Sequence, residues 1–188
     1  MRFKMQFYKL SCLYPNALCR HSLIGVVKFQ YANQRLATHF RHFKNMKYHL
    51  AQINISRIKG VDMNDPIMAD FVALLEEINA LAEQNAGFVW RLKGDGNNAT
   101  DILPYDDTRI IINMSVWENI ESLQNYVFRS AHTGVMKRRK EWFNRFELPA
   151  TALWYVPAGH APTIEEAKRR LAHLQEHGAT TYAFGFKK

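Results

Sequence analysis

The chain is short of cysteine, and has none over most of its length. Both thiols, Cys12 and Cys19, lie in the first 45 of 188 residues. Residues 46–188 therefore have no disulfide framework, no cysteine ligand for a metal and no thiol nucleophile. That usage fits a reducing compartment, and we expect a cytoplasmic protein. No run approaches the roughly 20 apolar residues that a helical membrane span needs. No small-residue cleavage site follows a compact apolar core, which argues against a secretory signal. There is no internal repeat of the solenoid type and no low-complexity stretch.

Acid is missing from the first 45 residues, which hold Arg2, Lys4, Lys9, Arg20, Lys28, Arg35, Arg41 and Lys44. This segment accounts for the whole net charge of +8, because the remainder balances its basic groups against all 17 acidic ones. A neutral body lacks the broad positive field that phosphate binding uses, so no nucleic-acid partner is expected. Three readings of residues 1–45 stand side by side. They are a start assigned too far upstream, with Met46 opening the domain; an organellar transit peptide; or a basic arm that touches membrane or nucleic acid. With 47% hydrophobic residues, the chain has ample material for the core of one domain.

That body alternates strand and helix signals. Residues 47–55 put His49, Ala51, Ile53 and Ile55 on one face and Tyr48, Leu50, Gln52 and Asn54 on the other. Asp65-Pro66 is a helix start, and Gly87 a stop, for a helix over 66–86. A short strand follows over 88–93, with Trp90 on the face of Phe88. Residues 94–107 are rich in turn formers and read as a hairpin loop able to act as a lid. Its Asp95, Asn97 and Asp101 do not match an EF-hand spacing. The strand over 109–116 carries Asn113 on its mixed face. Ser115 and Glu118 form a capping box for the next helix, in which Gly134 is a weak point. If helical geometry persists beyond it, His132, Arg139 and Trp142 or Phe143 share a face. A strand over 151–156, a capped helix opening at Pro162-Thr163 and a last strand over 180–186 complete the chain. The first six elements are β-α-β-β-α-β, the split βαβ pattern of a ferredoxin-like unit.

The string SVW before a capped helix, then RSAHTGVMKRRKEWF, then LWYVPAGHAPTIEEAKRRLAHL and a terminal AFGF resembles a bacterial family of domains of unknown function, DUF3291. The resemblance covers residues 47–187. It implies an α+β fold: a ferredoxin-like split βαβ unit with an extra C-terminal αβ, whose open sheet face pairs with that of a second copy to form a dimeric α/β barrel. It implies no established activity. The wider superfamily includes cofactor-free monooxygenases, haem-degrading monooxygenases and dye-decolourising haem peroxidases, and fold alone does not choose among them.

In such a barrel the mixed faces point inward. Tyr48, Gln52, Asn54, Trp90, Asn113 and Tyr155 or Trp154 then line an apolar pocket with a few polar groups, or pack the dimer interface. His132 is a candidate general base, an axial haem ligand or a hydrogen-bonded interface residue. Asn54, Trp117 and His132 are similar to the residue trio of the haem-degrading enzymes, though with a longer Trp-to-His interval. Within the basic run Lys137–Lys140, Arg139 either reaches an anionic group on a ligand or is solvated. Trp142 and Phe143 read as core, and His160 as part of a rigid turn. No histidine spacing makes a metal site: His173 and His177 lack the H-E-x-x-H carboxylate and read as favourable helix C-terminal charges.

The expectation is a homodimeric, small-molecule-binding barrel that oxygenates an aromatic or polyketide-like compound without a cofactor. His132 would be the base, with Asn54, Trp90, Asn113, Arg139 and Tyr155 around the ligand. The alternatives are a haem-binding or haem-degrading oxygenase, and a ligand-sensing or structural dimer.

Overall fold

The computed structural model describes residues 47–186. The readings of residues 1–45 and of Met46 lie outside them. The elements are β1 (Tyr48–Ile58), α1 (Ala69–Glu83), β2 (Phe88–Arg91), β3 (Ile110–Trp117), α2 (Ile120–Arg129), α3 (His132–Arg138), β4 (Phe143–Asn144), β5 (Thr151–Pro157) and α4 (Ile164–His177). β1 is the centre of an antiparallel sheet in the order β2-β3-β1, with β5 on the other side of β1 and the short β4 beside its last residues. This is the strand order that follows when a split βαβ unit folds, each helix crossing back over one sheet face. The fold is α+β and ferredoxin-like, with α4 as the addition.

The caps explain where two helices begin. Asp65 accepts from the amide of Ile67 at 3.1 Å, and Pro66 needs no such partner. The first turn, Pro66–Met68, is a 3-10 turn that runs into α1. Thr163 accepts from the amide of Glu166 at 3.1 Å and opens α4. The expected box at Ser115 and Glu118 does not form. Ser115 stays in β3, paired with Gln52, and Asn119 caps α2 by accepting from the amide of Ser122. The helix, expected to be weak at Gly134, breaks earlier, at Ser130, whose extended backbone separates α2 from α3, and Gly134 lies within α3. The Ser130 hydroxyl donates to the Tyr126 carbonyl at 2.6 Å, satisfying one group the break exposes.

The two sheet faces are unlike. One is apolar through its centre: Ile53, Ile112, Met114, Ala152 and Trp154 pack against Ala167, Leu171 and Leu174 of α4. Leu92, Ile102 and Tyr105 complete that cover. The 94–107 connection is thus part of the core wall and not a free lid. Lys168 on α4 pins it, donating to the Pro104 carbonyl at 2.6 Å and lying 4.9 Å over the Tyr105 ring.

The opposite face meets the α1–α2–α3 layer, but only at its two ends. At one end Leu50, Trp117 and Leu153 pack against Leu123 and Tyr126 of α2. At the other, Ile58 and Ile111 pack with Met68 and Trp142. The final strand expected over 180–186 reduces to one bridge, Phe184 to Leu153. Its neighbours are drawn off elsewhere: Arg170 lies 3.8 Å over the Tyr182 ring, and Phe186 packs edge-on against Phe128.

Candidate functional site

Between the two apolar ends of the helix-side face lies a polar strip. Register across β5, β1 and β3 sets Thr151, Asn54 and Asn113 in one transverse row. The next row holds Leu153, Gln52 and Ser115, and continues into Arg91 of β2. A two-residue period puts all of these side chains on one side of the sheet. The strip is internally bonded. Asn54 Nδ2 donates to Thr151 Oγ1 at 2.7 Å, and Gln52 Nε2 to Asn113 Oδ1 at 3.4 Å. Asn113, in the middle of a central strand, is nonetheless exposed. The helices therefore bracket the strip without sealing it.

His132 joins this strip through a stack of rings. Trp117 donates its indole N–H to Ser115 Oγ at 2.8 Å. Tyr126 stacks on Trp117 at 5.1 Å, and His132 lies 4.7 Å from Tyr126. Phe88 meets the far edge of Trp117 at 5.4 Å. Burial pushes the His132 pKa below its ordinary 6.5, and the Val127 carbonyl offsets this only in part. His132 is thus neutral at pH 7. Its Nδ1 lies 3.5 Å from that carbonyl, which can only accept. With the proton on Nδ1, toward that carbonyl, Nε2 keeps its lone pair. Burial raises the Tyr126 pKa far above the usual phenol range, so its hydroxyl, which donates to the Ile78 carbonyl at 3.3 Å, is not an acid–base group.

The expected residues divide. Gln52, Asn54 and Asn113 come together as the strip, and Tyr48 and Tyr155 share its sheet face, exposed near one edge. Trp90 does not join them. A register shift between Phe88 and Trp90 turns Trp90 to the apolar face, where it packs with the α4-side core. Trp154 is on that face too, its indole donating to Glu166 at 2.9 Å. Arg139 is exposed just past the end of α3, and does not share a helix face with Trp142 because the helix stops at Arg138. The neighbouring Arg138 is the built-in cation, bonded to Asp70 and Glu141 and lying 4.7 Å over the Trp142 ring. Trp142 is core, as expected, and Phe143 packs against that cluster half-buried. His160 holds a turn to α4 through Glu166 at 2.8 Å, and His173 bonds Thr180. No cluster of metal-binding side chains exists among the described residues.

Arg91 was not anticipated. Its side chain is 4% exposed, with Nε on Glu83 Oε1 at 2.9 Å and Nη2 on Asn97 at 2.9 Å. An open concavity of about 400 Å³ runs along β2 here, lined by Glu83 and residues 88–93. The signal was present as alternation, since polar residues recur on one face of three strands. It could not be assembled before the register was known.

Comparison with known proteins adds the following. No curated protein sequence matches the chain. Two solved structures are similar at low identity. The protein of unknown function NE2512 from Nitrosomonas europaea shares 12% identity at a TM-score of 0.39, over 62% of this chain and 95% of that one. SnoaB, a cofactor-independent oxygenase from Streptomyces nogalater, shares 13% at 0.37, over 60% and 95%. Neither bears on the chemistry of this site. Residues 49–188 match the profile of a domain of unknown function, DUF3291. The match takes in all of the sheet but Tyr48, every described helix and the polar strip, and the chain belongs to the DUF3291 family.

Proposed function

We propose that this domain binds a flat, oxygenated small molecule against the polar strip and oxygenates it without a cofactor. The observation behind the reading is the strip itself. A sheet face beneath a helical layer is ordinarily apolar core, and here its centre holds Gln52, Asn54, Asn113, Ser115 and Thr151 with Asn113 exposed. A mostly apolar cleft with a few convergent polar groups is the usual make-up of a ligand site.

His132 supplies the base. A neutral imidazole with a free Nε2 can take a proton from an acidic carbon or phenol of the substrate. The resulting anion is electron-rich enough to react with dioxygen directly. For a ring methylene the change balances as one CH₂ and one O₂ giving one C=O and one water. Asn54 and Asn113 orient the substrate, and Tyr126, stacked on Trp117, holds His132. The test is oxygen uptake with a reduced, anthrone-type polycyclic phenol and no added metal or cofactor. Uptake that falls at least tenfold in His132→Gln is expected. Binding without uptake would make the domain a sensor or carrier instead.

A haem reading would use the same Nε2 as an axial ligand. The strip fits haem poorly, because it holds one buried cation, Arg91, while haem brings two propionates. A Soret band on haem titration that is lost in His132→Ala would restore it.

The homodimer belongs to this proposal as well. Its support is exposed apolar surface at the sheet edges, Val89 on β2 and Tyr48 and Tyr155 near β5. A monomer in sedimentation velocity at working concentration would remove it. The cysteine-free body is in keeping with a cytoplasmic setting, and no described helix is long and apolar enough to cross a membrane.

A further inference from the structure

Among the described residues, the buried polar and charged side chains are Gln52, Ser115 and Arg91. They are not scattered. Register places them in a single row across β1, β3 and β2, Gln52 opposite Ser115 and Ser115 opposite Arg91. Burial of three polar groups in one line, at the centre of the proposed cleft, calls for a reason beyond packing.

The row has a direction. At the β2 end, Arg91 spends Nε on Glu83 and Nη2 on Asn97, and Nη1 has no hydrogen-bond partner among the described residues. Lys93 also binds Glu83, at 3.0 Å, so one carboxylate faces two cations and the cluster keeps a positive charge. In the middle, Ser115 Oγ accepts from the Trp117 indole, which leaves its own proton free to donate. At the β1 end, Gln52 spends Nε2 on Asn113, and its carbonyl oxygen is left to accept. Donors, one of them charged, stand at one end and an acceptor at the other.

We propose that Arg91 reads an ionised oxygen of the ligand, a phenolate or enolate, while Gln52 accepts from a neutral hydroxyl at the ligand's other end. The backbones of β1 and β2 lie two strand spacings apart, about 10 Å, so the ligand is the length of two to three fused rings. This rests on the small-molecule reading of the cleft and names its substrate class: hydroxylated fused-ring phenols that bind as the anion. Glu83 and Asn97 fix the guanidinium in place, which lowers the ordering cost of each bond it makes.

The test is tryptophan-fluorescence titration with a three-ring hydroxyanthraquinone above its hydroxyl pKa, and with its O-methyl ether. The wild-type protein should bind the anion about tenfold more tightly than the ether, as a charge-assisted bond implies. Glu83→Gln removes the competing carboxylate and should tighten anion binding severalfold with no change for the ether. Arg91→Gln should bring the ratio near one; should that variant misfold, Glu83→Gln still decides. Equal binding of both compounds by the wild type, or no gain in Glu83→Gln, overturns the Arg91 assignment and leaves the pocket standing. Failure to bind either compound overturns the pocket and the assignment together.

Discussion

The phenol ring of Tyr126 lies stacked on the indole of Trp117, with centroids 5.1 Å apart and planes 25° from parallel. With Leu123, this contact seats α2 on the sheet, and Tyr126 in turn carries His132 against its other neighbours. The stack also separates two kinds of contribution. Tyr126→Phe keeps the ring and loses only the bond to the Ile78 carbonyl, at about 1 kcal/mol. Tyr126→Ala leaves a cavity against Trp117 and should cost about 3–5 kcal/mol. Urea unfolding followed by tryptophan fluorescence measures both. If the two variants lose the same stability, the ring stack is not what seats α2.

The buried imidazole makes stability depend on pH in a defined direction. Burial lowers the folded-state pKa of His132 from 6.5. The unfolded chain then takes up a proton at a higher pH than the folded one does. The stabilising effect is complete above pH 6.5 and is lost as pH falls through the lower folded value. His132→Gln should flatten this slope below pH 6.5 and leave the alkaline side unchanged. Parallel melting curves between pH 7.5 and pH 5 give the answer. Identical pH profiles for the two proteins would mean that His132 is solvated in the native state.

Gly87 stands where α1 hands over to β2, with φ at +81°. An added Cβ there would run into the Ser122 side chain of α2. Gly87→Ala should therefore cost about 2 kcal/mol or more, combining left-handed backbone strain with the clash. The two parts can be separated. Adding Ser122→Gly should recover the clash and not the strain, so the double variant should lie between Gly87→Ala and the wild type. A double variant no better than Gly87→Ala would put the whole cost in the backbone.

What was legible in the sequence was local. The Asp65 and Thr163 caps act over two or three residues, and the alternation along β1 needs only the period of a strand, so all three stand as read. What was not legible needed a partner. Ser115 and Asn119 are both good caps, and pairing with Gln52 decides between them by keeping Ser115 in the sheet. β2 is four residues long, too short for its alternation to reveal the shift that turns Trp90 away from Phe88. The aromatic alternation of Tyr182, Phe184 and Phe186 looks like a strand, but Arg170 and Phe128 claim the outer two rings. The candidate site split in the same way. Asn54, Asn113 and His132 could be named from residue type and face, whereas Arg91 became visible only once three strands were in register.

The strip can be tested with little disturbance to the fold, because its central residue is exposed. Asn113 takes one long bond from Gln52 at 3.4 Å, so Asn113→Leu should cost under about 1 kcal/mol of stability. Asn54 is different. It is half-buried and donates to Thr151 at 2.7 Å, and Asn54→Leu leaves that hydroxyl unpaired, at about 1–2 kcal/mol. On ligand binding both variants should act alike, because each replaces a polar group of the floor by an apolar one of similar size. Affinity for an oxygenated polycyclic phenol should fall about tenfold in each, while an unsubstituted hydrocarbon of the same size should bind as well or better. Calorimetric titration of the two ligands against the three proteins supplies the comparison. Loss of affinity for both ligands would point to a distorted sheet. No loss for the phenol in the well-folded Asn113→Leu variant would mean that the ligand does not lie on this face.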